Sequence, residues 1–254
     1  MESLESISLS RMSTMTRQIE IIANNIANAN TTGYKAARMF FSEYLQDAGT
    51  DALSYVHGYG TIRDYSNGSL QFTNNPLDVA IDGEGFFVVN TGEGERYTRN
   101  GHFRVDEQRQ IVANEDETYS EKRERRLVTA DGYPVLSEQN APIVIPNVDN
   151  VEISPEGLIK VNGKVIERIN LVTFENPQAL SQAEAGLFKT DEIPIPIEAP
   201  KIIQGALEES NVQAVVELTQ MIEVMRSFQA SQKLIQDDDD AKRKAIRTIA
   251  GVAA

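Results

Sequence analysis

Between Ser3 and Asn30 the chain holds neither glycine nor proline, and Met12, Met15, Ile19, Ile22, Ile26 and Ala29 recur at spacings of three and four. That period predicts one long α-helix with an apolar seam, a rod of roughly 40 Å at 1.5 Å per residue. Near the other end Ala214, Leu218, Met221, Met225, Phe228 and Ile235 keep a similar rhythm, interrupted at Gln232. Val215 and Ile222 widen this second stripe toward another face. A stripe of that width needs a bulky core or several helical neighbours. Either each helix packs on its own domain, or the two pair and leave apolar surface for other copies or relatives.

From Asn75 to about Pro200 the texture changes to short apolar or alternating runs. Residues 77–81, 85–89, 142–146, 151–154, 157–161 and 169–174 are the strand candidates. Asp82-Gly83, Asn100-Gly101, Asp131-Gly132, Glu156-Gly157 and Asn162-Gly163 supply turns between them. This rhythm predicts an antiparallel sheet, sandwich or barrel-like body. Residues 115–126, EDETYSEKRERR, are charge-dense and read as an exposed loop or insertion. Residues 192–200, with three prolines in alternation, read as an extended connector.

Asn24, Asn25, Asn28 and Asn30 crowd the end of the first helix. Asparagine is a weak helix former because its amide competes for backbone groups, so a compensating contact is expected. One reading closes the helix, with Gly33 in the left-handed conformation. The other sets the amides across a helix–helix contact, where they would fix register. The run Asp237–Asp240 fans out around a helix rather than alternating as in a calcium loop. It reads as i, i+4 pairing of Asp238 with Lys242, Asp239 with Arg243 and Asp240 with Lys244.

Composition narrows the function. Zero cysteines exclude disulfides and thiolate chemistry, and the presence of only two histidines, His57 and His102, argues against a histidine-rich metal site. No nucleophile motif or phosphate-binding fingerprint is present, so no catalytic, cofactor or metal residue is assigned. The net charge of −14 argues against nucleic acid, and no apolar run suits direct membrane insertion. The charge is uneven: residues 1–36 balance to zero, residues 201–254 hold eight acids against seven bases, and the middle carries the remainder. Near-neutral ends that pack together around an acidic, solvent-facing centre fit that distribution.

Four stretches then carry a family resemblance. ANNIANANTTGYK (23–35) resembles the N-terminal signature of bacterial flagellar rod and hook proteins. LDVAIDGEGFFVV (77–89) with RYTRNGHFRVD (96–106), and then LVTADGYPVL (127–136), are similar to that family's central segments. GALEESNVQAVVELTQMIEVMRSFQASQKLI (205–235) resembles its C-terminal domain. The stretches occur in family order, and the length and tail are nearer the short proximal rod proteins than the distal rod or hook proteins. The segment Gln108–Arg126 departs from the family pattern, where the strand after TRNG leads directly into the next stretch.

The resemblance implies an α+β fold, with long N- and C-terminal helices forming a coiled helical domain and a mainly antiparallel β central domain. The expected division is a discontinuous helical domain of residues 1–36 and 205–254, an extended connector at 37–75 and a β-rich outer domain at 76–200 with a charged insertion at about 108–126. It implies a non-enzymatic rod subunit that needs no cofactor and polymerises into the hollow drive shaft carrying torque to the hook. Implied partners are copies of itself, neighbouring proximal and distal rod proteins and the flagellar type III export apparatus. The location implied is the periplasm-spanning rod, reached without a cleavable signal peptide. The expected assembly interface is Met15, Ile19, Ile22, Asn24, Asn25, Ile26, Asn28, Asn30, Gly33, Leu218, Met221, Ile222, Met225 and Phe228. A secreted β-rich enzyme and a monomeric binding module are the competing classes.

Overall fold

The glycine-free N-terminal stretch is helical in a computed structural model of the chain, which describes residues 2–48, 51–113, 119–146 and 150–252. Helix α1 runs Glu2–Ala27 and α2 runs Ala214–Val252. The chain divides into two units. The first comprises residues 1–29, 36–64 and 212–254, and the second comprises residues 30–35 and 65–211.

In the first unit α1 lies against α2 and against a long antiparallel ribbon, β1 (Ala37–Ala48) paired with β2 (Asp51–Arg63). Its register runs from Ala37 opposite Arg63 to Ala48 opposite Asp51, with a bulge at Phe40/Phe41 opposite the Gly58–Gly60 stretch. Residues 37–75 were expected to be an extended connector; within them 37–48 and 51–63 are extended but paired. A lone two-stranded ribbon is marginal in water, so the ribbon depends on the helix packed against it.

The second unit is built from short strands in chain order. These are β3 (Leu70–Phe72), β4 (Val79–Ile81), β5 (Phe86–Thr91), β6 (Gly94–Thr98), β7 (Phe103–Ala113), β8 (Tyr119–Thr129), β9 (Val151–Ile153), β10 (Leu158–Val161) and β11 (Lys164–Arg168). They continue as β12 (Leu171–Thr173), β13 (Ser181–Gln182), β14 (Phe188–Lys189), β15 (Ile195–Pro196), β16 (Ile202–Gln204) and β17 (Ala206–Glu208). One sheet has the order β13-β14-β6-β5-β12-β15, and β11-β10-β9 form another. All these pairings are antiparallel. Pro196 stands on the edge strand β15, where its missing N–H costs no ladder bond.

Strand β5 shows why the body holds together. Phe87 and Val89 enter one apolar cluster, with Phe103, Leu127, Ile143, Ile145 and Ile159. Phe86 and Val88, pointing the other way, enter a second with Tyr97, Phe174 and Phe188. The period-two geometry of a strand thus buries both faces of β5.

Of the charge-dense stretch 115–126 read as a loop, residues 119–126 are strand, and residues 115–118 lie outside the described residues. Strands β7 and β8 pair from Phe103 opposite Thr129 to Ala113 opposite Tyr119. Cross-strand charges contribute, with Arg125 Nε 3.6 Å from Glu107 Oε1 directly opposite it.

Candidate assembly interface

The seam expected on α1 faces inward. Met15 and Ile22 are 9% and 4% exposed, and Met12, Ile19 and Ile26 are half-buried. Along α2 the covered positions are Glu217, Met221, Val224, Phe228, Ser231 and Ile235, alternately four and three residues apart. Of the α2 residues singled out from the sequence, Met221, Phe228 and Ile235 belong to this covered face, and half-buried Ala214, three residues before Glu217, continues its frame.

The others form a second stripe. Val215, Leu218, Ile222 and Met225 are 78%, 48%, 51% and 45% exposed and are spaced three, four and three apart. At 100° per residue this stripe lies about 100° around the helix from the covered one. The same frame continues as Gln229 and Gln232, so this stripe is confined to the first turns of α2; Leu234 and Ile246 are exposed further along the helix, outside the frame. The single seam expected there is therefore two stripes, one covered and one open. The widening at Val215 and Ile222 was its trace in the sequence.

The asparagine cluster divides by position. Asn25, 1% exposed, donates from Nδ2 to the Ala37 carbonyl at 2.8 Å, while its Oδ1 accepts the Ala37 N–H at 3.0 Å. One amide thereby completes both backbone groups of the first residue of β1. Asn28 Nδ2 donates to the Asn24 carbonyl at 2.8 Å, closing the last turn of α1. For Asn25 and Asn28 these are bonds inside one unit, where the sequence left an intersubunit contact open. Asn25→Ala is expected to destabilise the helix–ribbon unit by about 2–4 kcal/mol, because two buried backbone groups lose their partner. Hydrogen exchange at Ala37 and Asp64, whose N–H donates to Ala36 at 2.8 Å, reads the loss.

Asn30 and Gly33 fall in the other unit. Gly33 is left-handed at φ 70°, yet α1 has already ended at Ala27, so this glycine does not close the helix. Its N–H donates to the Glu208 carbonyl at 2.7 Å, and a Cβ there would stand 2.6 Å from the Arg99 backbone carbon. Close approach and a positive φ both require glycine.

The aspartate run behaves as a helical face. Lys242 Nζ lies 2.7 Å from Asp238 Oδ2, the first of the three expected pairs. Lys242→Ala should cost only a few tenths of a kcal/mol in thermal unfolding, and less in high salt. Among the described residues no group of three or more carboxylates or histidines could hold a metal ion, and no helix is long and apolar enough to cross a membrane. His102 Nδ1 sits 2.7 Å from the buried Asp78 carboxylate beside the Asn100-Gly101 turn. The side chain of His57 lies outside the described residues.

Comparison with known proteins gives three family matches. Residues 6–35 match the flagella basal body rod proteins, and residues 80–122 match the D1 domain of the flagellar hook protein FlgE/F/G group. Residues 203–248 match the C-terminal region of flagellar basal body rod FlgEFG proteins. The chain is 32% identical over 251 residues to the flagellar basal-body rod protein FlgF of Caulobacter vibrioides, covering 96% of each chain. It is 28% identical over 247 residues to FlgF of Mesorhizobium japonicum, again covering 96% of each. To FlgG of Bacillus subtilis it is 30% identical over 268 residues, covering 94% of this chain and 96% of that one.

Proposed function

With the chain belonging to the flagellar basal-body rod protein family, we propose that it enters the rod as a structural subunit through its terminal helices, the open stripe of α2 seating on a helix of the next subunit. The observation carrying this reading is the exposure of Val215, Leu218, Ile222 and Met225 in heptad-like spacing. Leu218, Ile222 and Met225 are already about half covered, so completing the burial of each contributes about 1 kcal/mol, and the more open Val215 adds somewhat more, repeated at every subunit contact. The role is structural rather than enzymatic. Neighbouring rod subunits and further copies of this chain are the partners, and delivery falls to the flagellar export apparatus.

The match to FlgF relatives over 96% of the chain supports a proximal place in the rod. The match to FlgG keeps a distal place as the second reading. Localisation in dissected basal bodies separates the two.

The absence of native cysteine makes the interface directly testable. Single variants Met225→Cys and Gln220→Cys place one thiol on the stripe and one on the opposite side of α2. After labelling with a thiol-reactive photo-crosslinker in isolated basal bodies, Met225→Cys should form adducts with rod subunits and Gln220→Cys far fewer. The reverse pattern would sink the assignment of the stripe.

A further inference from the structure

Three of the family-like stretches converge on one buried carboxylate. Lys35 from TTGYK, Arg99 from YTRNG and Glu208 from GALEESN are each no more than 2% exposed. Lys35 Nζ lies 2.6 Å from Glu208 Oε1 and also donates to the Ser66 carbonyl at 2.7 Å. The Gly68 N–H donates to the same Oε1 at 3.0 Å. Arg99 NH1 stands 3.6 Å from Glu208 Oε2, an ion pair without a hydrogen bond, while NH2 donates to the Gly83 carbonyl at 2.6 Å and to Asn67 at 3.1 Å.

Backbone bonds surround this triad. Gly33 N–H donates to the Glu208 carbonyl, Glu209 N–H to Ser69 at 2.8 Å, and Asn211 Nδ2 to the Ser66 carbonyl at 3.1 Å. A Cβ on Gly68 would fall 2.0 Å from the Glu209 carbonyl oxygen, so the passages run in direct backbone contact. Segments 30–35, 65–69 and 205–211 are the stretches by which the chain enters and leaves this unit. All three meet at Glu208.

We propose that Glu208 is a positioning residue, the keystone of an ionic latch that holds these three passages together and releases them together. Charge neutralisation is the physical basis. Burial pushes the Arg99 guanidinium below its usual range, and the nearby Glu208 carboxylate pushes it back. Deleting the carboxylate removes the buried counter-charge that Lys35 and Arg99 share, a far worse state than the intact cluster, with Glu84 acting on Arg99 less strongly than Glu208 does. The triad meets the apolar clusters around β5 where the Arg99 guanidinium lies 5.6 Å over the Phe86 ring, a contact that does not involve Glu208, so the clusters persist when the latch opens. The latch is a property of the unassembled chain and stands apart from polymerisation.

Hydrogen exchange of the full, unassembled chain tests it. In Glu208→Ala, amides of 30–35, 66–69 and 205–211 should exchange at least tenfold faster, all three together, while β5 and β12 keep their protection. Glu208→Gln retains the acceptor for Lys35 and Gly68 but not the charge, and should release the same three segments. Glu209→Ala, removing a neighbouring surface carboxylate bonded to Ser69, should leave them protected. Wild-type protection in Glu208→Gln, faster exchange confined to 205–211, or loss of β5 protection along with the rest would each overturn the latch.

Discussion

Replacing Ile222 and Met225 together with Asp is expected to abolish incorporation of the subunit into the rod while lowering the unfolding free energy of the purified chain by only about 2 kcal/mol, leaving it folded. The two effects separate because both side chains are already about half exposed in the single chain. A carboxylate there stays hydrated in the monomer and costs little. Seated against a neighbouring helix it must be desolvated without a partner, which costs several kcal/mol at each contact. Multiplied along a polymer, that penalty removes the subunit from the structure, and motility is lost with it. Ile22→Asp is the informative contrast. Ile22 is 4% exposed within its own unit, so a charge there should unfold the helix–ribbon unit before assembly is attempted. Normal swimming by the double variant would show that the open stripe of α2 is not the contact.

Gly101→Ala carries the second large effect, on the β body. A Cβ at residue 101 would lie 1.7 Å from the Val79 carbonyl oxygen and 3.2 Å from the Phe87 ring. Neither neighbour can yield. Val79 is in β4, its N–H donates to the Gly101 carbonyl at 3.0 Å, and it is fully buried, as is Phe87. The substitution therefore pushes backbone against backbone, and we expect a loss of about 4 kcal/mol or more. Gly92→Ala supplies the control in the same unit, since its Cβ would meet nothing within 4 Å. Urea unfolding followed by near-ultraviolet circular dichroism of the tyrosines should show a lower midpoint for Gly101→Ala and an unshifted one for Gly92→Ala. Equal midpoints would mean that β4 and the turn are free to separate.

What the sequence disclosed follows from which forces are local. The helix seam was legible because Met15, Ile19 and Ile22 repeat with the helical period and face one side. Strands β4, β5, β9, β10 and β12 were legible because β-branched runs alternate with Asp-Gly and Asn-Gly turns, whereas the run at 142–146 makes only isolated bridges, Pro142 to Leu136 and Val144 to Arg126. The β1–β2 ribbon was not: its pairing rests on α1 packed beside it, and Gly49-Thr50 between the strands is a weaker turn signal than the Asp-Gly and Asn-Gly pairs elsewhere. Strands β7 and β8 were hidden for another reason. Their stabilising pairs are opposite charges such as Glu107 and Arg125, which along the chain look like a solvated loop. On α2, Leu218, Ile222 and Met225 have the same apolar character as Met221 and Phe228, so periodicity could not assign faces until the neighbours were placed. The Lys35, Arg99 and Glu208 cluster had no local signature at all, because its members lie in three distant stretches and each reads singly as a surface charge.

The pairing of β16 with β4 and of β17 with β3 has a consequence for the speed of folding. Ile202 stands opposite Ile81 and Leu207 opposite Gln71, so each pairing closes a loop of more than roughly a hundred residues. Contacts of such long sequence separation form slowly, because the loop entropy is lost before the new bonds compensate. Refolding of the β body should accordingly run in two stages, with the β5–β6 and β10–β11 hairpins gaining protection early and β3 and β4 late. In a cell this leaves a newly released subunit with a formed centre and unpaired edges for the longest part of its folding time. Those edges, β3 and β4, are where an escort protein or a premature neighbour would find the chain still open.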